Sequence, residues 1–91
     1  MTIWHFKAEL LRVDGASATY RFFPDHVMAP VVSGVFRVNL TTFEAEVLDP
    51  ANAEARGLVS TDQYCVAALV HKIRRVTSTQ QDPPKEIFFV A

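Results

Sequence analysis

Residues 3–13 alternate between apolar and polar positions, with Trp4, Phe6, Ala8 and Leu10 on one side and His5, Lys7 and Glu9 on the other. A period of two predicts a strand with one buried face. Asp14-Gly15 supplies a turn, because glycine adopts the left-handed conformation without steric cost. A second strand follows from Ser17 to Phe23, with Ala18, Tyr20 and Phe22 sharing a face. Parity constrains the loop between them. A two-residue loop at Asp14-Gly15 sets Leu10 opposite Thr19 and mixes the faces, whereas an odd loop sets Leu10 opposite Ala18 or Tyr20. The expectation is a three-residue loop; if Ala16 is its last residue, Glu9 faces Arg21.

Pro24 to Ser33 holds two prolines and no regular period, so it reads as a connection. A second hairpin opens at Gly34. Phe36, Val38 and Leu40 form one face, and Phe43, Ala45 and Val47 the matching face across Thr41-Thr42. This pairs Val38 with Ala45 and Arg37 with Glu46, in a two-residue loop or a four-residue loop of the same parity. Asp49-Pro50 has the chemistry of a helix start, which predicts a short helix over 50–56 ended by Gly57. The main helix is expected from Ser60, where Ser60 and Gln63 have capping-box spacing. Val66, Leu69, Val70, Ile73 and Val76 fall on one helical stripe. His71, Lys72, Arg74 and Arg75 then crowd its C-terminal turns, where positive charge complements the helix dipole. Residues 77–82 and Pro83-Pro84 end it. Ile87 to Val90 closes the chain as a strand apolar on both faces, which predicts an interior position in the sheet.

These elements predict an α+β fold of order β-β-β-β-α-β, with an antiparallel sheet packed in two layers on one amphipathic helix. The 91 residues are expected to form a single domain, 1–91. The buried sheet face is expected to run from Trp4, Phe6, Ala8 and Leu10 through Phe36 and Val38 to Ala45 and Val47. Lys7, Glu9, Arg21, Arg37, Glu44 and Glu46 are expected to meet water on the other face. Hydrophobic residues make up 49% of the chain, far too many for disorder. Nine basic and ten acidic side chains leave no surplus of positive charge to draw the protein to nucleic acid or an anionic membrane. The single cysteine, Cys65, excludes an internal disulfide and fits a reducing compartment. The N-terminus does not read as a signal peptide, and no apolar run has the length to span a bilayer. A cytoplasmic location is the resulting expectation.

Residues His71 to Val76 and the ending from Pro83 to Ala91 resemble small uncharacterised bacterial proteins with two N-terminal hairpins, a helix ending His-x-Ile-x-Arg-Ile and a terminal strand. The chain departs from that pattern at Pro84, Lys85 and Val90. The resemblance implies the fold and no activity.

Candidate chemistry is sparse. The three glycines are scattered, so no phosphate-cradling loop exists, and no serine sits in a nucleophile elbow. Glu44 and Glu46 share a strand face, a pattern that alternation alone produces. His5, Asp25, His26, Cys65 and His71 have no local ligand spacing, though a small enzyme or ligand binder can assemble a site from His5, Asp25, His26 or His71. Around the helix, Tyr64, Ala68, His71 and Arg75 form a second stripe opposite the core stripe, with low alanines beside residue types favoured at interfaces. The leading expectation is a non-enzymatic module acting by protein–protein contact through these four residues. Its partner is another protein or a second copy in a homodimer, with no cofactor, metal, nucleic acid or membrane.

Overall fold

Alternation becomes strand wherever it occurs in this chain. The computed structural model describes residues 4–58 and 60–90, so Ile3 at the head of the first alternating run lies outside the described residues. Its elements are β1 (His5–Asp14), β2 (Ser17–Phe23), β3 (Gly34–Asn39), β4 (Ala45–Asp49), α1 (Asp62–Gln80) and β5 (Glu86–Val90). The strands form one antiparallel sheet of order β4-β3-β2-β1-β5, and α1 packs on one face in a two-layer α+β arrangement. Phe6, Ala8, Ala18, Tyr20, Phe22, Phe36 and Val38 line that face and are fully buried against Cys65, Leu69 and Ile73. Ile87 joins them from β5.

The first hairpin keeps the expected parity by a different device. Asp14 pairs with Ser17, so the loop is Gly15-Ala16, two residues rather than three. Gly15 alone takes positive φ (61°), the pattern of a type II′ turn. The odd residue sits instead as a bulge at Leu11, between the Leu10–Tyr20 and Arg12–Thr19 pairs. Leu10 therefore shares a face with Tyr20, and Glu9 faces Arg21. In the second hairpin Val38 pairs with Ala45 and Arg37 with Glu46, as expected. The loop is the four-residue form. Phe43 N–H donates to the Asn39 carbonyl (2.7 Å), while Asn39 Oδ1 accepts from the Thr41 and Thr42 amides.

Four further expectations fail. Residues 50–56 form no helix: 53–57 are turns, and Asp62 accepts from the amides of Asn52 (2.8 Å) and Ala53 (2.9 Å), which plugs Ala51 and Ala53 into the core. The main helix is capped by Thr61, whose Oγ1 accepts from the Tyr64 amide (3.1 Å), not by Ser60. It also runs five residues past Arg75, with the Ser78 and Thr79 hydroxyls donating to the Arg74 and Arg75 carbonyls inside the helix. The basic cluster therefore lies mid-helix, and no basic residue occupies the last turn. Finally β5 is an edge strand, paired only with β1. Its outward apolar residue, Phe88, packs beside Lys7 and His26 on the outer face rather than under a second layer.

Two residues lock the sheet. Tyr20, fully buried, donates its hydroxyl to the Pro84 carbonyl (2.7 Å) and ties β2 to the segment leading into β5. Tyr20→Phe removes that donor and should cost about 1 kcal/mol in chemical denaturation. At Gly34 an added Cβ would lie 2.5 Å from the Asp49 carbonyl oxygen and 2.6 Å from the Phe22 ring. The backbone of β4 or the buried Phe22 ring must shift to admit it, so Gly34→Ala should cost about 1–3 kcal/mol, read as a lower denaturation midpoint at unchanged slope.

Candidate functional site

Lateral position in the sheet decides which apolar residues are covered. Ala45 and Val47 share the face of Val38 and Phe36, their partners on β3, yet Val47 keeps 39% of its surface and Ala45 is also exposed. α1 packs most heavily on the β5 side of the sheet and leaves these β4 side chains uncovered. Between them runs a groove of about 720 Å³. Ala45 and Val47 form one wall, and Val66, Ala67 and Val70 the other. Asp62 and Pro50 mark one end, where β4 finishes and α1 begins. The other end is marked by Phe43, His71 and Arg74, the Arg74 guanidinium lying 5.7 Å from the centre of the Phe43 ring. Phe43 holds a left-handed backbone (φ 60°), an uncommon state for a bulky side chain, which places its ring at the groove mouth.

The stripe Tyr64, Ala68, His71 and Arg75 is divided by this architecture. Tyr64 is half exposed, with its ring against Trp4 (4.6 Å between centres) and Phe6 (6.1 Å), covering the end of the core. Ala68 is half-buried and packs on the core cluster. His71 reaches the groove, and Arg75 stands exposed beside Lys72 and Val76. Of the basic helix residues, Lys72 donates to the Phe88 carbonyl of β5 and Arg74 covers Phe43. They point to opposite flanks. Phe43, Ala45 and Val47 were not expected as site residues, because alternation assigned them to a covered face.

The histidines and acids do not assemble. His5 and His26 come together on the outer face, rings 6.0 Å apart, through a bond from the His26 amide to the His5 carbonyl. Asp25 is spent on its own turn, accepting from the Val27 and Met28 amides. His71 is on the helix side of the sheet. Among the described residues, no three His, Cys, Asp or Glu side chains cluster as metal ligands. No helix among them is long and apolar enough to cross a membrane.

Cys65 is fully buried, its thiol directed at the Phe23 carbonyl. Burial, reinforced by the Asp62 carboxylate, pushes the thiol well above its ordinary value, and burial raises the Tyr20 phenol likewise. The native state thus holds protons that the unfolded chain releases. Stability from this source is intact below the unfolded values of 9.0 for the thiol and 10.0 for the phenol, and falls as pH rises past them. Denaturation midpoints should be flat from pH 7 to about 8.5 and decline by pH 11, less steeply in Tyr20→Phe. At pH 8 the native thiol should react with a disulfide reagent on the order of a hundredfold slower than in denaturant.

Compared with known proteins, the chain is matched by no family model, no curated protein and no solved structure.

Proposed function

We propose that this chain is a non-enzymatic interaction module that holds a segment of a protein partner in the groove between β4 and α1. One observation carries the reading: apolar β4 side chains on the core-facing side of the sheet stand open along a concave strip instead of being covered. Exposed apolar strips bordered by polar groups are where protein surfaces take up partners. The charged groups at the two ends, Asp62 and Arg74, give the strip a direction.

The alternative of a small enzyme draws less support. His5 and His26 meet without Asp25 or His71, and the buried Cys65 thiol is held protonated, the unreactive form. Nucleic-acid binding is likewise not favoured, since Lys72 and Arg74 diverge and are engaged within the fold. A soluble cytoplasmic partner protein, or a second copy, is the class of ligand this reading admits.

A random-peptide display selection on the folded domain tests it, with binding of the enriched peptides measured by fluorescence anisotropy. Ala67→Glu places a charge on the groove wall at an exposed helix position and should weaken the selected peptides at least about tenfold with an unchanged circular dichroism spectrum. Arg75→Glu, on the stripe outside the groove, should leave them unchanged. Peptides lost with Arg75→Glu but not with Ala67→Glu would move the binding surface to the Tyr64, Ala68, His71 and Arg75 stripe. A selection that yields no peptide sensitive to Ala67→Glu would remove the groove from consideration.

A further inference from the structure

We infer that the occupant of the groove is an extended segment in which basic and apolar residues alternate, added antiparallel to β4 as a sixth strand of the sheet; this rests on the groove being a binding site. β4 pairs with β3 alone. The Asn39 amide donates to the Glu44 carbonyl (2.9 Å), so in the antiparallel ladder residues 44 and 46 turn their peptide groups toward β3. The amides and carbonyls of Ala45 and Val47 therefore point away from the sheet, and no described residue pairs with them.

The two edges of the sheet are treated differently. By the same ladder logic, the Leu10 amide bonded to the Lys85 carbonyl turns the peptide groups of Phe88 outward on β5. There the Lys72 ammonium caps the Phe88 carbonyl. A lysine that reaches from the helix onto an edge strand covers a carbonyl that strand addition would need. On β4 no described cation caps the outward carbonyls, and the ladder is interrupted only at Leu48, beyond Ala45 and Val47. The strand's flanking charges, Glu44, Glu46 and Asp49, are all acidic.

Those acids define the partner. On the helix side, alternate β4 side chains, Ala45 and Val47, open into the apolar groove. On the other side Glu44 and Glu46 border a polar hollow of about 340 Å³, in which Arg37 engages Glu46 (2.9 Å). An added strand also alternates, so it presents apolar side chains to the groove and its remaining ones to the carboxylates, where opposite charge is favoured. A second copy does not fit this edge, because antiparallel pairing of β4 with itself brings Glu44 and Glu46 close to their own counterparts. Direction follows from the ends. A strand antiparallel to β4 starts beside Asp62 and finishes beside His71 and Arg74, an arrangement suited to a cation at its N-terminal end and a carboxylate at its C-terminal end.

The test titrates the isotopically labelled full chain with three capped seven-residue peptides, followed by amide chemical shifts. One alternates valine and lysine, one alternates valine and glutamate, and one has the composition of the first with its valines at helical spacing. The alternating basic peptide is expected to bind, to shift amides across 44–49 and to slow hydrogen exchange at Ala45 and Val47. The acidic peptide should bind at least about tenfold more weakly. Glu44→Lys, whose side chain forms no ion pair among the described residues, should narrow or invert that preference. Phe43→Asn, which keeps a side chain tolerant of the left-handed backbone, should weaken the basic peptide without unfolding the domain. Binding of the helically spaced peptide at the groove with none by the alternating one would overturn the inference and leave the groove as a binding site. Equal binding of acidic and basic peptides would overturn the charge argument. Failure of all three, together with a display selection that yields nothing dependent on Ala67, would overturn both readings.

Discussion

A single helix about 10 Å across cannot cover a five-stranded sheet whose outer strands lie about 19 Å apart. This mismatch organises the molecule. The helix packs most heavily on the β5 side, covers Phe6, Tyr20 and Phe22, and meets the two edges unequally. On the β5 side the gap is closed by Ala68 and Phe89, packed on the core, and by the reach of Lys72. On the β4 side Ala51 and Ala53 are buried at one end, and the rest stays open. Asp62 is central to that arrangement. One carboxylate in the first helical turn takes two amides of the preceding segment, and so fixes where the covering ends and the groove begins.

Faces were legible in the sequence, and lateral order was not. Alternation assigns each strand residue to one of two sides, and the pairs Val38–Ala45 and Arg37–Glu46 follow once the second loop is even. It left Glu9 and Lys7 as rival partners of Arg21, a choice the structure makes for Glu9. Alternation carries no information on which strand lies at an edge. Two apolar faces on residues 87–90 suggested an interior strand, yet β5 is at the margin, where Lys7 and His26 cover Phe88 without a second layer. The candidate groove was hidden for the same reason. Ala45 and Val47 have the pattern of core residues, and only the position of α1 leaves them uncovered.

Helix ends went astray for local reasons. Ser60 and Thr61 are both competent caps, and a one-residue choice between them depends on where Asp62 must sit to reach Asn52 and Ala53. The polar run after Val76 looked like a stop signal, but the helix continues to Gln80 and stops where Gln81 takes a left-handed backbone, with the Ser78 and Thr79 hydroxyls bonded to the preceding turn. That extension removed the dipole argument for the basic cluster and left Lys72 and Arg74 with separate tasks, one at each flank.

The bulge at Leu11 shows what kind of change this hairpin can absorb. Since the turn contributes an even number of residues, the whole odd count of the connection resides in one position on the strand. Loss of a residue there would rotate everything upstream by half a period, sending Phe6 and Ala8 to the watered side and His5 and Lys7 to the helix. A single-residue insertion in the turn would cancel that rotation. Single-residue length changes on this side of the molecule are therefore harmful alone and harmless in compensating pairs, so relatives could differ in where the spare residue sits while agreeing in every buried side chain.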